Sequence, residues 1–379
     1  MKILHTPVRF YPFIGGVENY VYNLSRELVE LGESVSVVCA NEPTVAQRES
    51  VKGIDVIRLS YPGKIANTNI TSALPLELLR SDFDIIHTHI PTPWSADWSC
   101  LAARVKGKPL VLTYHNDIVG RGHAGRAAWL YNSTCLPFLL RSAARIIITQ
   151  PNYVATSSHL KNYKNKIRAI PCGVDAERFK PRADKTSSDR SNGRSRTLFF
   201  LGSLDEFHRY KGLDILLKAL AIVGKEMPDV KLKVGGAGGL LDSYRDMAEG
   251  LGLAKNVEFL GFIPDEALPK HYHQCCAFVL PSVSGEQEGF GIVLLEAMAS
   301  AKPVISTEIV GVADDVKRFD AGRIVKPGDA MALAETILEI LSDEGQAEEM
   351  GRRGRRLVEE KYTWKRVARD VLEIYRQVL

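Results

Sequence analysis

Short apolar runs alternate with longer amphipathic segments along almost the whole chain. In the first half, runs rich in β-branched residues predict strands, and the spacing of apolar residues between them predicts helices, most clearly over residues 16–31. The predicted strands cover residues 2–6, 34–39, 55–58, 85–89, 110–114, 145–149 and 166–170. This alternation is typical of a parallel sheet with helices on both faces, which binds ligands at the carboxyl ends of its strands.

A polar segment interrupts the pattern near the middle of the chain. Residues 181–196, PRADKTSSDRSNGRSR, contain almost no apolar side chain and predict a solvated linker. A second alternating series follows, with predicted strands at residues 197–202, 232–235, 257–260, 277–281 and 303–306. We therefore expect an α/β protein with two Rossmann-like doubly wound domains, at residues 1–180 and 197–363. A last helix, at about 364–379, is a candidate to pack back on the first domain.

The composition excludes some classes of function and agrees with the predicted fold. A chain of 379 residues with 45% hydrophobic and 25% charged residues is globular and long enough for two cores. Its formal net charge of +4 gives no support to a protein that neutralises many nucleic-acid phosphates. The six cysteines form no C-x-x-C pair, so we expect reduced, buried thiols. Neither a secretory signal nor an apolar stretch of about 20 residues is present, which predicts a cytoplasmic protein. A peripheral place on the inner face of the membrane stays open.

The sharpest motif is a pair of glutamates, Glu288 and Glu296, at the two ends of EGFGIVLLE after an apolar strand. Gly289 and Gly291 allow a ligand to approach the backbone closely, and the N–H groups at the start of the following helix favour an anion such as a diphosphate. The carboxylates are about two helical turns apart and can reach different parts of one extended ligand. Sugar hydroxyls suit the first and ribose hydroxyls the second. The alternative is that both are solvated charges on a helix face.

Several segments together resemble glycosyltransferase family 4, a large family of retaining enzymes with the two-lobed GT-B fold. The glutamate pair resembles the family's E-x7-E signature, and GGVE at 15–18 resembles its amino-terminal Gly-Gly loop. The segments IPCGVD at 170–175, NVEFLGF at 256–262 and GRIVKPGD at 322–329 resemble three further family motifs. The resemblance covers nearly the whole chain, and the order and spacing of the motifs make it specific.

The resemblance implies two lobes that face each other across a cleft. It also implies transfer of a hexose, of mannose or glucose type, from a nucleotide-diphosphate sugar with retention of the anomeric configuration. The predicted catalytic residues are His115, Glu288 and Lys211. The predicted donor-binding residues are Gly15, Gly16, Ser203, Arg209, Lys211, Gly238, Phe262, Ile263, Glu288, Gly289, Phe290, Gly291, Ile292, Val293 and Glu296.

One segment departs from the family pattern. Where the family has an Arg directly after the first strand of the second domain, this chain has Ser203 in a lengthened loop. A diphosphate that leaves without a metal ion needs fixed cations, because negative charge builds on its oxygen as the glycosidic bond breaks. We expect Lys211 to supply one cation and Arg209 to replace the missing Arg. An unengaged surface charge is the alternative for Arg209.

The first domain carries the remaining candidates. His115 follows the apolar strand 110–114 and so lies where ligands bind, and the acceptor is expected at Tyr11, Glu18 and Asp117. The segment 121–145 mixes arginines with aromatic residues, as do interfacial helices near anionic lipid. An ordinary amphipathic helix that covers the sheet explains the same composition.

The predicted partners are a nucleotide sugar and an acceptor that is a glycolipid, a polyprenyl-linked sugar or an oligosaccharide, with no nucleic acid. No metal ion or other cofactor is expected, because the chain has neither a D-x-D pair at a strand end nor a His-rich helix spacing. The donor base and sugar, GDP or UDP type, and the oligomeric state stay open.

Three alternatives remain. One is a nucleotide-sugar epimerase or hydrolase on the same fold, and another is a non-catalytic protein that binds sugar nucleotides. The third, an NAD-dependent oxidoreductase, is disfavoured because the glycine-rich run at 235–239 lacks the G-x-G-x-x-G order.

Overall fold

The structure is a computed structural model of the chain. It describes residues 1–13, 15–65, 68–118, 122–150, 153–182, 196–285 and 288–379, and of residues 123–124 and 155–156 only the backbone. The predicted linker therefore lies almost entirely outside the described residues.

The chain forms two units. Unit 1 comprises Met1–Cys172 together with Trp364–Leu379, and unit 2 comprises Gly173–Thr363. The first unit is thus built from both ends of the chain, and the second is an insertion into it.

The boundary between the units lies earlier than the predicted end of the first domain at residue 180. Residues 173–180 belong to unit 2 because their apolar side chains pack there. The backbone N–H of Val174 donates to the carbonyl oxygen of Tyr362 at 2.7 Å, and the buried Phe179 packs edge-on against Tyr272 at a centroid distance of 5.7 Å.

Unit 1 is built on an eight-stranded sheet in the order β10-β9-β8-β7-β1-β2-β4-β3, and β5 and β6 form a separate hairpin. All neighbours in the large sheet are parallel except β3 and β4. The strands are β1 (Lys2–Thr6), β2 (Ser34–Ala40), β3 (Arg48–Val51), β4 (Ile54–Leu59), β5 (Gly63–Ile65), β6 (Thr68–Ile70), β7 (Ile85–Ile90), β8 (Leu110–Tyr114), β9 (Arg145–Ile148) and β10 (Ile167–Ala169). The helices are α1 (Gly16–Glu30), α2 (Leu74–Arg80), α3 (Pro93–Lys106), α4 (Gly122–Ser142) and α5 (Tyr153–Thr156), with a 3-10 helix at Lys161–Lys166.

Unit 2 is built on a six-stranded, entirely parallel sheet in the order β13-β12-β11-β14-β15-β16. The strands are β11 (Thr197–Leu201), β12 (Lys231–Gly235), β13 (Val257–Gly261), β14 (Ala277–Leu280), β15 (Val304–Thr307) and β16 (Gly322–Val325). The helices are α6 (Leu213–Glu226), α7 (Leu241–Gly250), α8 (Leu268–Gln274), α9 (Ile292–Ala299), α10 (Ala313–Phe319), α11 (Ala330–Ser342) and α12 (Glu344–Leu357). Two 3-10 helices, Glu206–Lys211 and Asp265–Ala267, and a short π-helix at Val358–Tyr362 complete it.

In both sheets the chain starts at a central strand, proceeds to one edge and then returns to the other side of its starting strand. The reversal lies between β1 and β7 in unit 1 and between β11 and β14 in unit 2. The loops that leave the two strands at a reversal turn in opposite directions. Open α/β sheets bind ligands in the crevice that such a divergence leaves beside the carboxyl ends of the strands.

The predicted α/β class is confirmed, and each predicted strand matches an observed one to within one residue at either end. The polar strand β3, the short hairpin β5–β6 and the edge strand β16 were not predicted. All four residues of β3 are exposed or only partly buried, so it carries no alternation of apolar residues. An edge strand with little burial leaves a weak sequence signal.

The last helix, α13 (Trp364–Val378), belongs to unit 1. Its apolar residues recur every three or four positions, and this face is buried. Tyr375 places its hydroxyl 2.5 Å from His87 Nδ1, and Trp364 packs edge-on against Tyr20 of α1. Among the helices that the structure describes, none has the length and apolar character needed to cross a lipid bilayer.

The basic run at 351–356 lies on α12, and its glycines are on the packed side of the helix. A Cβ atom at Gly351 would lie 2.1 Å from the carbonyl oxygen of Ala301. The arginines point to neighbouring carboxylates, as in the pair of Arg353 Nη2 and Asp320 Oδ2 at 2.8 Å. The run therefore combines a closely packed glycine face with paired surface charges.

Gly351→Ala is expected to destabilise the protein by about 1–3 kcal/mol, because α12 must move away from the Ala301 carbonyl. The control is Gly224→Ala in α6, where the new methyl group has open space among the described residues and a gain of about 0.4–1 kcal/mol is expected. Urea-induced unfolding measures both. Equal effects of the two substitutions would contradict the close approach of α12.

Candidate active site

Two loops at the strand-order reversal of unit 2 bring a lysine and a glutamate together. One leaves β11 and ends in the 3-10 helix Glu206–Lys211, and the other leaves β14 and reaches Glu288. Lys211 Nζ lies 3.5 Å from Glu288 Oε2, and the two side chains are 17% and 4% exposed. This ion pair is largely withdrawn from water, where charges interact more strongly than on an open surface.

Hydrogen bonds hold both the carboxylate and the backbone of Glu288. Ser282 Oγ donates to Glu288 Oε2 at 2.5 Å, and the backbone N–H of Glu288 donates to the Ser284 carbonyl at 2.9 Å. The carbonyl oxygen of Ser282 in turn accepts a bond of 2.7 Å from Thr307 Oγ1 at the end of β15. The glutamate is thus oriented from two neighbouring strand ends.

The Lys211 side chain lies across the end of β11 because residue 202 is a glycine. A Cβ atom at Gly202 would lie 2.6 Å from Lys211 Cδ, so any other residue would displace the lysine. Lys211 Nζ also lies 5.3 Å from the ring centroid of Tyr210. Burial and then the Glu288 charge raise the pKa of the Tyr210 phenol, which keeps it neutral.

The predicted glycine-rich turn leads into α9. Gly291 has φ of 81°, a left-handed conformation that favours glycine, and the helix begins directly after it. No atom of the described residues lies within 4 Å of a Cβ position at Gly289, so this backbone has open space beside it. Phe290 is buried, whereas Ile292 and Val293 in the first turn of α9 are partly buried.

Glu296 lies in the second turn of α9, in different surroundings. Tyr272 donates a hydrogen bond of 2.7 Å to Glu296 Oε2. Burial raises the pKa of the Glu296 carboxyl to about 7, although the bond from Tyr272 and the charge of Arg178 favour the ionised form. Arg178 itself is paired with Asp265 at 2.5 Å. The two glutamates of the motif therefore differ in charge environment as well as position.

The other predicted donor-binding residues of unit 2 differ in their exposure to solvent. Ser203 is exposed, and Arg209 is 62% exposed and paired with Glu206 at 3.3 Å. Exposed ion pairs of this kind contribute little to the stability of the fold. The role of Arg209 in binding the diphosphate stays a prediction. After β13, Phe262 is exposed and Ile263 buried. Gly238, with φ of 156°, passes close to the backbone of the loop that leaves β11.

In unit 1, the partly buried His115 follows β8 and lies beside a row of buried histidines. Its backbone N–H donates to the Ile90 carbonyl at 3.0 Å, and its Nε2 lies 3.3 Å from His89 Nδ1. The ring of Tyr20 packs edge-on against it at a centroid distance of 4.9 Å. Burial lowers the pKa of His115 to about 4, so the imidazole is neutral at pH 7.

The glycine loop after β1 contains Gly15 and Gly16, where α1 begins. No described atom lies within 4 Å of a Cβ position at Gly16. Of the predicted acceptor residues nearby, Glu18 is buried and accepts a bond of 3.3 Å from Arg9 Nε, whereas Tyr11 is 48% exposed.

Asp117, the third predicted acceptor-binding residue, makes hydrogen bonds to other residues of unit 1. Its Oδ1 accepts hydrogen bonds from the Tyr114 hydroxyl at 2.7 Å and from Ser157 Oγ at 2.8 Å. Its backbone N–H donates to the Tyr153 hydroxyl at 3.0 Å. These bonds hold the loop after β8, which carries His115.

Three buried histidines, His5, His87 and His89, form a group within the described residues whose ligand atoms lie close enough for a metal ion, all within 4.8 Å of one another. Both nitrogens of His87 already face hydroxyl oxygens, those of Tyr375 at 2.5 Å and Thr113 at 2.7 Å. Burial lowers the pKa of all three imidazoles, so these side chains are neutral at pH 7. The predicted independence from metals stays a prediction.

Sequence reasoning missed the partners that orient the glutamates. Ser282, Tyr272 and Arg178 are far from the motif or lack a local signal. One signal was present, since the backbone N–H of Arg178 donates to Asp175 Oδ1 at 3.0 Å and Asp175 ends the IPCGVD segment. The end of that segment therefore forms a turn with Arg178, whose charge favours the ionised form of Glu296.

Known proteins are similar to this chain over nearly its whole length. Residues 14–178 match the family model Glycosyltransferase Family 4, and residues 184–357 match the model Glycosyl transferases group 1. The O-antigen chain mannosyltransferase C of Escherichia coli is 30% identical over 384 residues, which cover 100% of this chain and 99% of that protein. The phosphatidyl-myo-inositol mannosyltransferase of Mycobacterium leprae is 27% identical over 96% of this chain and 93% of its own. The D-rhamnosyltransferase WbpZ of Pseudomonas aeruginosa is 30% identical over 93% and 90%.

Solved structures show the same fold. Sucrose-phosphate synthase from Thermosynechococcus elongatus superposes with a TM-score of 0.76 at 24% identity, covering 99% of this chain and 98% of that one. The HepE protein of Anabaena, in complex with UDP, gives 0.77 at 19% identity with full coverage of both chains. These likenesses confirm the predicted GT-B fold.

The raised pKa of Glu296 leads to a pH-dependent effect on stability. Its carboxyl group has an ordinary pKa of 4.5 and a pKa of about 7 in the folded protein, so its contribution to stability is full below 4.5 and is lost as pH rises through 7. Glu296→Gln is therefore expected to raise the free energy of unfolding by about 2 kcal/mol at pH near 8 and by less than half of that at pH near 5.5. Urea unfolding at both pH values measures this.

The matched control is Glu258→Gln on β13, where the side chain is exposed and no pH-dependent gain is expected. A loss of stability in Glu296→Gln at pH near 8, or a gain that is the same at both pH values, would show that burial does not raise the pKa of the Glu296 carboxyl.

Proposed function

Because the chain belongs to glycosyltransferase family 4 and is a glycosyltransferase that uses nucleotide sugars, we propose that it transfers a mannose-type hexose with retention of configuration and without a metal ion. Relatives named as mannosyltransferases and a D-rhamnosyltransferase support a sugar of the manno series. A glucose-type donor stays the second choice, because a structural neighbour is known with UDP-glucose. The proposed acceptor is lipid-linked or a growing glycan, in line with the relatives named for phosphatidyl-myo-inositol and the O-antigen chain.

The observation that carries this proposal is the buried Lys211–Glu288 pair beside the start of α9. The ammonium group and the free N–H groups of the helix start supply positive charge for a diphosphate. The glutamate, held by Ser282, supplies an acceptor for the hydroxyl groups of the sugar. A metal ion is not needed in this scheme, because fixed protein groups meet the charge that develops on the leaving oxygen.

The proposed reaction takes place on one face of the donor sugar. The bond between the anomeric carbon and the diphosphate oxygen breaks as the acceptor hydroxyl oxygen forms its bond to that carbon from the same side. The proton of the acceptor hydroxyl passes to the departing phosphate oxygen. The protein contributes position and charge to this step.

Glu296 is proposed to bind the ribose hydroxyls of the donor. Its carboxylate accepts a bond from Tyr272 and is partly buried, so a pair of hydroxyl donors would satisfy its remaining oxygen. In unit 1, His115 is proposed to contact the donor sugar. Of the three acceptor candidates, exposed Tyr11 is the best suited, because Glu18 and Asp117 already hold neighbouring groups.

The purified protein is expected to bind GDP-mannose in a thermal-shift panel that also contains UDP-glucose, UDP-galactose and UDP-GlcNAc. A ligand at about a hundred times its dissociation constant stabilises the protein by about 2.7 kcal/mol.

Transfer to a lipid-linked sugar acceptor should continue in EDTA, and the one-bond C1–H1 coupling of the product should show the donor's configuration. Release of free sugar without transfer would instead indicate a hydrolase, and binding without turnover a non-catalytic protein. An inverted product, or a loss in EDTA that Mn²⁺ restores, would overturn the mechanism.

Variants of the two glutamates separate binding from turnover in the same assay. Glu296→Ala should weaken nucleotide binding about tenfold, because a charged hydrogen-bond acceptor is lost. Glu288→Ala should lower kcat about a hundredfold with a smaller change in binding. Glu258→Ala is the control and should change neither, since it is exposed on β13. Unchanged kinetics in both site variants would refute the assignment.

We also propose that unit 1 touches an anionic membrane through α4 and α3. Large apolar side chains point into solvent there, with Trp129 70%, Leu130 56% and Val105 66% exposed. Arg104 lies 5.9 Å from the ring centroid of Phe138, so positive charge accompanies the apolar surface. Apolar side chains mixed with arginine suit the interface of an anionic bilayer, where a lipid-linked acceptor is found.

Liposome co-sedimentation tests this surface. Trp129→Ser should lower the partition onto vesicles with anionic lipid about three- to tenfold, and added salt should lower it for the wild-type protein too. The control is Met331→Ser at the start of α11, which removes a similarly exposed apolar side chain from unit 2 and should have no effect. Equal losses in both variants, or no binding by the wild type, would rule out this contact.

A further inference from the structure

The rings of His89 and His115 meet edge to edge in unit 1. Their planes differ by 21° and their centroids are 5.5 Å apart, while His89 Nδ1 and His115 Nε2 are separated by 3.3 Å. The short nitrogen distance at a long centroid distance places these two nitrogens on the facing edges. A hydrogen bond between them requires one nitrogen to donate and the other to accept.

Both imidazoles are neutral, so each carries a single N–H. His89 is fully buried and His115 is partly buried, and burial lowers the pKa of both. In a neutral imidazole, the hydrogen bond made by one nitrogen decides where the proton lies on the other. The tautomer of His115 is therefore set by the tautomer of His89.

The surroundings of His89 decide which ring donates. Its Nε2 has no hydrogen-bond partner among the described residues, and the packed rings of His5 and His87 do not come within bonding distance of it. A buried N–H without an acceptor is less tolerated than a buried acceptor without a donor. The proton of His89 is thus favoured on Nδ1, from which it points to His115.

The consequence for His115 is an uncommon tautomer. Its Nε2 accepts from His89, so its own proton lies on Nδ1. Histidine in water prefers the proton on Nε2, and so the bond from His89 opposes the intrinsic preference. The edge-on ring of Tyr20, with Trp364 behind it at 5.4 Å, hinders the ring of His115 from turning over.

We propose that His89 is a positioning residue that holds His115 in the Nδ1–H tautomer, so that His115 meets its ligand as a hydrogen-bond donor and not as a base. That the ligand is the donor sugar rests on the proposed function, whereas the tautomer does not. An Nδ1–H group suits a sugar hydroxyl oxygen or a phosphate oxygen. It has no lone pair at that edge with which to take a proton.

The tautomer is measured directly on the ligand-free, full-length protein. Nitrogen NMR of the chain labelled with 15N-histidine should show His115, identified by its loss in His115→Asn, with a protonated Nδ1 and a bare Nε2. His89→Phe keeps a ring of similar shape but removes the donor, and His115 should then move its proton to Nε2. His89→Asn retains an amide N–H near the position of Nδ1 and should keep the wild-type tautomer.

Transfer kinetics provide the second measurement. His89→Phe should lower kcat roughly tenfold with less than about a twofold change in donor KM, and His89→Asn should restore most of the loss. The control is His87→Phe in the same histidine row. It breaks the bonds to Tyr375 and Thr113 and should lower stability, but it should leave the His115 signals and kcat within about twofold of the wild type.

A wild-type spectrum with His115 protonated on Nε2 overturns the proposal, even if the variants do not fold. So does a tautomer that His89→Phe leaves unchanged, or a tautomer shift without any change in kcat. If the wild-type protein transfers no sugar at all, the proposed function fails, while the response of His115 to His89→Phe still decides whether His89 sets its tautomer.

Discussion

The reversal of strand order between β11 and β14 is the constraint on which the site in unit 2 depends. Parallel strands direct all their carboxyl ends to one edge of the sheet, and only at a reversal do adjacent loops diverge and leave their backbone groups accessible. One loop carries Lys211 and the other Glu288, so two residues distant in sequence become neighbours without either loop being long. The first turn of α9 adds its N–H groups at the same place.

Much of this arrangement could be predicted from local pattern. Alternating apolar runs located the strands, and the glycines and glutamates of EGFGIVLLE identified the loop after β14 and the helix start, because such features act within a few residues. The partners of those residues could not be predicted in the same way. Tyr272 meets Glu296, and Tyr20 meets His115, only after distant elements have packed. The end of unit 1 at Cys172 was missed for a similar reason, since Val174 and Phe179 look like an extension of the first domain until their contacts are known.

The two glutamates of the motif illustrate how a loop and the helix that follows it can present unlike carboxylates. Glu288 has a lysine and a serine beside it, so its charge is compensated within the protein. Glu296 has a tyrosine hydroxyl and the more remote charge of Arg178, and burial leaves part of its desolvation uncompensated. Carboxyl groups with a raised pKa, such as Glu296, are common where a bound ligand completes their hydrogen bonds. A fold selected for stability alone would not keep a carboxylate in such surroundings.

The insertion of unit 2 between Cys172 and Trp364 has a consequence for the growing polypeptide. During synthesis, the first 172 residues leave the ribosome early, but they lack α13, whose Trp364 and Tyr375 cover Tyr20 and His87. Unit 2 is continuous, so all its strands are available before α13 has been synthesised. The part that is made later is therefore the first able to complete its core. The earlier part waits with an apolar surface uncovered until α13 has been synthesised.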